Sequence, residues 1–314
     1  MTALAFAAGL LGRCDTAAGN DLQRFQYTEV HMGMQARIVL YAPSESAALE
    51  AARAAFRRIG SLDAALSDYR PTSELMRLCA RAGEGPVRVS GDLMRVLRRS
   101  LELARRTDGA FDPTCGPVVE LWRRARREGR LPSTEAVREA LGRTGWTRVT
   151  LYPERSAVSL SSRGMKLDLG GIAKGYACDA ALRELLRCGT PRALVEIGGD
   201  LVVGSAPPGR AGWSIVIPSA RRQDDLYLCL TDAAVSTSGD TEQYVEIDGK
   251  RYSHIVDPRT GIGLTTRVAV SVIARRGEIS DGLSTAISVL GAVRGRALAA
   301  RYPEVQVYIR SQTD

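Results

Sequence analysis

The sequence predicts an α+β fold with mixed, largely antiparallel sheets and packed helices. Three observations support this class: short alternating apolar segments are separated by gaps of hairpin length, amphipathic helical stretches lie between groups of strands, and no internal repeat runs along the 314 residues. The mixed order of helices and strands argues against a doubly wound parallel sheet.

The predicted elements follow from apolar periodicity and turn signals. Helices are expected over residues 44–66, 73–79, 91–106 and 134–141, from the glycines at 170 and 171 to about 186, and over 280–298. Strands are expected as a pair within 23–42 that turns near Gly33, and over 147–152, 157–160, 166–169, 193–196, 201–203, 214–217, 227–230, 244–247, 252–256, 268–274 and 305–309. Residues 109–117, with two prolines and two glycines, are predicted to be a turn-rich loop.

We predict one domain over residues 22–314 and a separate segment over residues 1–21. In that segment the apolar run Ala3–Leu11 precedes Cys14, as at the end of a secretory or lipoprotein signal. However, no basic residue precedes the run, and Arg13 stands where a small residue is expected. A signal would give a periplasmic or inner-membrane-associated protein, with Cys14 as the residue that a lipoprotein signal would lipidate. A merely disordered segment would leave the protein cytoplasmic.

Composition excludes several classes. Hydrophobic residues make up 45% and charged residues 25%, which is ordinary for a folded protein. The net charge is +8, but the arginines are spread over helix faces and aromatic residues are only 5%, so we expect no nucleic-acid partner. Six cysteines without a CxxC pair, and two histidines, supply a zinc site poorly. A bound metal should therefore be a hard ion with oxygen ligands.

The segment Met165–Asp179 predicts an anion site. An apolar run containing Asp168 meets Gly170 and Gly171, and a helix follows, so free backbone N–H groups and the positive end of the helix dipole face outward. Lys174 lies in the first helical turn, where its charge could reach a phosphate. The spacing is neither GxGxxG nor GxxxxGK[ST]. Equally open is the alternative that the glycines only end a strand and that Lys174 is a solvated helix residue.

Three further clusters carry candidate chemistry. His254 lies on a predicted strand and could transfer protons near neutral pH, although a lone strand histidine is often structural. Asp281 and Thr285 are four residues apart at a helix start and could bind Mg²⁺, although Asp281 could instead only cap the helix. Residues 110–112 could form an apolar wall with an acceptor, or a plain turn with Phe111 in the core.

Five motifs together resemble the ApbE family, the FAD:protein FMN transferases. They are DLGGIAKGYACD, STSGD with YSHIVDPRTG, SDGLSTA, TDGAFDPTCGPVVELW and LSDYRPTSEL. Along the chain they occur in the family's order, and the resemblance covers about Thr28 to the C-terminus. The resemblance implies an ApbE-like, T-fold-related architecture. It also implies Mg²⁺-dependent cleavage of the substrate FAD, attachment of FMN to a Thr or Ser of a target protein, and release of AMP. The implied acceptor is an FMN-binding-domain subunit of a redox complex.

The resemblance also assigns residues. His254 would be the base that activates the target hydroxyl. The side chains of Asp281 and Thr285 and the carbonyl of Gly171 would bind Mg²⁺. The residues that would contact FAD are Met32, Tyr69, Ala110, Phe111, Asp112, Asp168, Lys174 and Val256. The chain has Met34 where the family pattern has Thr, and Cys79 where it has Asn. Two alternatives remain: hydrolysis of FAD to FMN and AMP, and FAD binding without turnover.

Overall fold

The fold is described from a computed structural model covering residues 22–217, 222–239, 244–266 and 268–311. The predicted N-terminal segment, with Cys14, lies outside the described residues. Within the described ranges, the helices are α1 (Glu45–Leu66), α2 (Glu74–Ala80), α3 (Gly91–Arg106), α4 (Gly116–Glu128), α5 (Thr134–Gly142), α6 (Ala173–Arg187) and α7 (Gly277–Ala299). None of these helices is long and apolar enough to span a bilayer.

The strands are short and mostly pair as hairpins. They are β1 (Gln23–His31), β2 (Met34–Ala42), β3 (Val87–Arg88), β4 (Val149–Tyr152), β5 (Ala157–Leu160), β6 (Ala193–Ile197), β7 (Asp200–Val203), β8 (Trp213–Ile217), β9 (Leu226–Leu230), β10 (Ala233–Ser238), β11 (Tyr244–Ile247), β12 (Lys250–Ser253), β13 (Val256–Asp257), β14 (Ile262–Gly263), β15 (Val268–Ala274) and β16 (Gln306–Ser311). The predicted mixture of helices and antiparallel strands is confirmed.

Local signals explain many of the boundaries. The side-chain hydroxyls of Ser44, Ser73, Ser90 and Ser133 each accept the N–H three residues ahead, which caps α1, α2, α3 and α5. The β1–β2 turn is made by Met32 and Gly33, both with positive φ, the conformation that a two-residue hairpin requires. The predicted turn near Gly33 is therefore confirmed.

A seven-stranded antiparallel sheet, ordered β1-β2-β6-β7-β10-β15-β16, forms the centre of the fold. Alternation along β2 separates its two faces: Ile38 and Leu40 belong to the main core with α1, α6 and α7, whereas Val39 packs on the other side. On that other side the β8–β9 hairpin contributes Trp213 and Ile215. A smaller cluster under α4 and α5 contains Trp122, Tyr252 and Val256.

Two sequence predictions in the centre of the chain are wrong. Residues 166–169 do not form a ladder strand, because Lys166 makes only an isolated bridge to Cys115. The apolar side chains of this segment are buried in the core instead, and the N–H of Asp168 donates to the Pro113 carbonyl at 2.8 Å. In addition, α4 begins inside the predicted loop. The expected strand–turn–helix is thus an extended core segment followed by a helix.

Other boundaries also differ from the predictions. Residues 233–238 form β10, a central strand that the apolar pattern does not indicate because small hydroxyl residues obscure it. The last helix begins at Gly277 and kinks at Gly291, whose φ is 74°. Asp281 is therefore the fifth residue of α7 and does not cap it. The carboxylate of Asp179, from α6, accepts the N–H groups of Gly277 at 2.8 Å and Glu278 at 3.1 Å.

Helices α6 and α7 approach each other at two glycines. A Cβ on Gly175 would lie 2.1 Å from the carbonyl oxygen of Gly277, and a Cβ on Gly277 would lie 2.3 Å from the carbonyl oxygen of Gly175. Neither position has room for a side chain, since both obstacles are backbone atoms. This contact fixes how the start of α7 meets the start of α6.

We expect Gly175→Ala to lower the free energy of unfolding by at least about 3 kcal/mol, because the new methyl group would force the two helix backbones apart. Gly142→Ala is the matched control. Gly142 is helical, and a methyl group added to it would meet no atom within 4 Å, so this change should be neutral or stabilise by about 0.5–1 kcal/mol. Urea unfolding measures both; equal stability of the two variants would contradict the close packing.

Candidate functional site

The predicted metal ligands lie together at the α6–α7 contact. A Cβ on Gly171 would lie 2.9 Å from the Thr285 hydroxyl oxygen and 3.3 Å from Cε2 of Phe111. The N–H of Gly175 donates to the Asp281 carboxylate at 3.0 Å. The start of α6 and the glycine turn before it therefore face the first three turns of α7. Gly171, Asp281 and Thr285 thus come from two elements that are distant in sequence.

Lys174 is at the centre of this group and is not a solvated helix residue. Its ammonium lies 2.9 Å from the Asp200 carboxylate and 3.8 Å from that of Asp281, and it donates to the Gly170 carbonyl at 3.1 Å. Burial alone would lower the pKa of Lys174, but Asp200 and Asp281 outweigh it and raise that pKa above its ordinary value. Lys174 is therefore a fixed cation.

The same group holds more negative than positive charge. Asp281 is 2% exposed and Asp200 is 5% exposed, so two buried carboxylates share one ammonium. Burial, and next the Asp200 carboxylate, raise the pKa of Asp281, although Lys174 opposes them. An additional cation would relieve this repulsion. A carboxylate, a hydroxyl and a backbone carbonyl are the oxygen donors that Mg²⁺ prefers, so the residues present fit that ion.

Hydroxyl groups from β10 fix the facing side of α7. Ser238 contacts the Ser284 hydroxyl at 2.7 Å and the Thr285 hydroxyl at 3.4 Å, and Ser236 contacts the Ser280 hydroxyl at 2.8 Å. These pairs hold the rotamers of buried side chains on the helix. The first turns of α7 are thus positioned from α6 on one side and from the central sheet on the other.

A second charged group surrounds Arg123 of α4. Its guanidinium lies 2.6 Å from the Asp68 carboxylate, 3.2 Å from that of Asp168, and 4.0 Å from the centre of the Tyr69 ring. Asp168 also accepts the N–H of Gly170 at 2.7 Å. Tyr69 is 73% exposed, so one face of its ring remains available. Arg123 therefore joins the Tyr69 loop to the glycine turn.

Residues 110–112 form a buried turn. Ala110 is 1% exposed, and Phe111 belongs to the main core although its ring edge reaches Gly171. The Asp112 carboxylate accepts the N–H and hydroxyl of Thr114 and the N–H of Trp146. Burial raises the pKa of Asp112, and these three donors oppose the rise. In these contacts Asp112 organises the turn, and Phe111 forms one apolar wall near the glycines.

His254 lies between β12 and β13 and is half-buried. Its neighbours Ser253 and Ile255 line one small cavity together with Gly239 and Ser288. Gly239 directly follows Ser238, which contacts Thr285. The histidine segment therefore adjoins the end of β10 that positions α7.

Val256 and Met32 are the remaining predicted FAD contacts. Val256 is buried with Trp122 and Tyr252 in the small cluster, which is separate from the main core that contains Phe111. Met32 is half-buried in the β1–β2 turn. That turn lies beside the β6–β7 turn before Asp200, because β2 pairs with β6 and the N–H of Gly198 donates to the Gln35 carbonyl.

Sequence reasoning missed Asp200, Arg123 and Asp179. Asp200 carried a visible signal, a carboxylate directly after the glycine pair at 198 and 199, whereas Arg123 is hidden in an arginine-rich helix. Among the residues that the structure describes, no three His, Cys, Asp or Glu side chains form a metal-binding group. The proposed ligand set contains one carboxylate, so its other donors are a hydroxyl and a carbonyl.

Fold and site together define an α+β protein with a lysine–carboxylate centre held between two helix starts. The model of the ApbE family matches residues 32–309. The chain therefore belongs to the ApbE family, which confirms the family and fold expected from the motifs.

Relatives and solved structures agree with this assignment. A Treponema pallidum (strain Nichols) protein named FAD:protein FMN transferase is 34% identical over 313 residues, covering 94% of this chain and 86% of the relative. A Vibrio cholerae serotype O1 protein of the same name is 35% identical over 240 residues, covering 74% and 71%.

Among solved structures, the flavin transferase ApbE from Vibrio cholerae matches with a TM-score of 0.82 at 30% identity, covering 93% of this chain and 95% of that one. The apo form of the Pseudomonas stutzeri flavinyl transferase ApbE gives the same TM-score and identity, with coverage of 93% and 92%.

We expect Arg123→Met to steepen the loss of stability with rising pH. Burial, and next Asp168, raise the pKa of Asp68 from 3.8 to about 6, and Arg123 opposes both. The contribution of Asp68 to stability is thus full below pH 3.8 and is lost as pH rises through about 6. Without Arg123 the folded pKa rises further, so the fall in unfolding free energy between pH 5 and pH 8 should grow by roughly 1–3 kcal/mol.

Urea unfolding at the two pH values measures this effect. Arg124→Met, a neighbouring exposed position, is the control and should leave the pH dependence unchanged. Adding Asp68→Asn to Arg123→Met should remove the extra slope. If Arg123→Met alone showed the pH dependence of the wild type, Arg123 would not stabilise the carboxylates of Asp68 and Asp168.

Proposed function

We propose that the chain is an FAD:protein FMN transferase. It cleaves FAD at the pyrophosphate, attaches FMN through a phosphoester to a Thr or Ser hydroxyl of a target protein, and releases AMP. The observation that carries this proposal is the family match over residues 32–309, together with relatives of that name at 34% and 35% identity. The position of Lys174 and two carboxylates beside a glycine turn supports it.

Asp281 and Thr285, with the carbonyl of Gly171, would hold Mg²⁺. Bound there, the ion supplies charge neutralisation for the diphosphate of FAD. Two observations support this ligand set: the excess of buried negative charge around Lys174, and the approach of Thr285 to Gly171. Lys174 provides a positive charge beside the same glycine turn, at the start of α6, where the helix dipole also favours an anion.

His254 would act as the general base. The target hydroxyl loses its proton to the imidazole, its oxygen forms a bond to the FMN phosphorus, and the bond from that phosphorus to the bridging oxygen breaks, so that AMP leaves with the electron pair. His254 suits this role because it adjoins the end of β10 that positions Thr285, and because imidazole titrates near neutral pH.

The flavin nucleotide would lie between the two charged groups. The exposed ring of Tyr69 stacks on the guanidinium of Arg123 through one face, which leaves the other face for a ligand. The ring edge of Phe111 lies beside Gly171. The exposed ring of Tyr69 is a flat apolar surface that suits an aromatic ring system. Asp168, whose carboxylate holds the Gly170 N–H, would keep the turn in shape for the ligand.

The acceptor would be an FMN-binding-domain subunit of a redox complex, and the enzyme would be periplasmic or associated with the inner membrane. The apolar run Ala3–Leu11 with the following Cys14 supports this location. If the N-terminus is not a signal, the same reaction would take place in the cytoplasm.

We give the wild-type chain FAD, Mg²⁺ and an acceptor domain with its target threonine. We expect a fluorescent flavin band of the acceptor on a denaturing gel, and the release of one AMP for each flavin attached. His254→Ala should bind FAD normally but lose at least about 100-fold in transfer rate, because the general base is absent. His31→Ala is the matched control for the loss of an imidazole, since His31 has no assigned role in the reaction and its ring stacks on Phe56; it should retain transfer.

Other outcomes separate the alternatives. Equal AMP release with and without the acceptor domain would indicate an FAD hydrolase, and FAD binding without AMP would indicate a binding protein. An unchanged transfer rate in His254→Ala would remove the general-base role.

We expect Asp281→Asn to shift the Mg²⁺ concentration for half-maximal transfer upward by at least about tenfold, because a neutral amide replaces the proposed anionic ligand. The variant should fold, since an amide oxygen can still accept the Gly175 N–H. Asp232→Asn, at an exposed turn, is the control and should titrate like the wild type. A wild-type Mg²⁺ titration in Asp281→Asn would exclude this metal site.

A further inference from the structure

A cavity of about 360 Å³ lies between α3, the start of α7 and residues 301–304. Its volume falls within the range of small-molecule sites in proteins. Neither the proposed reaction nor the predicted site residues use it.

The floor of the cavity is apolar. Leu103 of α3, Ile172 at the start of α6, and Ile279 and Leu283 of α7 line it, and Tyr302 adds an aromatic ring at the side. Leu103, Ile172 and Leu283 are almost completely buried, so they form a firm surface. A ligand here would gain affinity by covering apolar atoms.

The rim is cationic, with five arginines against three glutamates. Arg99 and Arg276 both pair with the buried carboxylate of Glu278, at 3.4 and 2.9 Å, and the Arg106 guanidinium pairs with Glu102 and lies 5.2 Å from the Tyr302 ring centre. Glu278 and Glu102 are therefore largely neutralised by these partners.

Arg275 and Arg301 have no acidic partner within the ranges that the structure describes, and both line the cavity. Their guanidinium groups remain free to bind an anion at the mouth, where arginine recognises carboxylate, sulfonate and phosphate oxygens through paired N–H donors.

The cavity and the proposed metal ligands lie on different faces of α7. Ile279 precedes Asp281 by two residues, and Leu283 precedes Thr285 by two residues. Two residues correspond to about 200° around an α-helix. Ile172, in the floor, directly follows Gly171. The cavity is thus separate from the reaction site, although its walls are the same two elements that form that site.

We propose that this cavity binds a small amphipathic organic anion. Its apolar or aromatic body covers the floor beside Tyr302, and its anionic group contacts Arg275 and Arg301. The combination of a buried apolar floor with two arginines that lack acidic partners in the described part of the chain favours this class over a metal ion, which the cationic rim would repel. It also favours an anion over a neutral ligand, which would leave the guanidinium groups unused.

The test uses 8-anilinonaphthalene-1-sulfonate, an aromatic anion, as the probe in titration calorimetry with the full chain. We expect one probe to bind per chain. Saturating FAD, added together with EDTA, should not change this binding. A separate titration in the same instrument verifies that FAD itself binds under these conditions. R275Q/R301Q should weaken probe binding by about tenfold, because charge-assisted contacts are lost without breaking an ion pair.

Two comparison variants sharpen the test. R126Q/R127Q removes the same charge from exposed positions of α4 and should bind the probe like the wild type. I279W should weaken probe binding, because the larger indole takes up part of the cavity; thermal melting of each variant checks that it is folded. Displacement of the probe by FAD, or wild-type affinity in folded R275Q/R301Q, would overturn the proposal. Neither result would affect the transferase proposal, which rests on different residues.

Discussion

The close approach of α6 and α7 at Gly175 and Gly277 is the constraint on which the site depends. Because both residues are glycine, the backbones come near enough for the Gly175 N–H to reach Asp281 and for Asp179 to cap α7. A Cβ at either position would prevent this approach. Helix starts normally expose unsatisfied N–H groups. Here the first two N–H groups of α7, those of Gly277 and Glu278, are bound by Asp179 of α6. The two helix starts therefore form one unit that carries the candidate ligands.

Charge is the second organising factor. A buried ammonium between two buried carboxylates is costly unless further interactions balance it. In this centre the imbalance is negative, and the neighbouring glycine turn contributes acceptors: the Gly170 carbonyl already accepts from Lys174, and the Gly171 carbonyl is a proposed metal ligand. The Gly170 N–H is bound by Asp168. The arrangement therefore suits a cation, which would in turn attract a phosphate-bearing ligand. The hydroxyl pairs between β10 and α7 hold the helix on a second face, next to the one that contacts α6, so the donors do not need to reorganise when ligands arrive.

Local signals in the sequence were sufficient for much of the fold. Apolar periodicity located α1, α2, α3 and α5, and short motifs singled out the glycine turn, His254 and the Asp281–Thr285 pair. The missed features depend on partners distant in sequence: Asp179 acts on residues about a hundred positions ahead, and Arg123 pairs with Asp68 and Asp168. The apolar run before the glycines looked like a strand because its alternation is genuine, but it is buried in the core rather than paired in a ladder.

The most direct test of the central claim is a crystal structure of the chain with FAD and Mn²⁺ in place of Mg²⁺, in which anomalous scattering locates the metal. We expect one peak bound by the carboxylate of Asp281, the hydroxyl of Thr285 and the carbonyl of Gly171, next to the diphosphate of FAD. A peak elsewhere, or FAD bound with no metal at these three groups, would contradict this metal site.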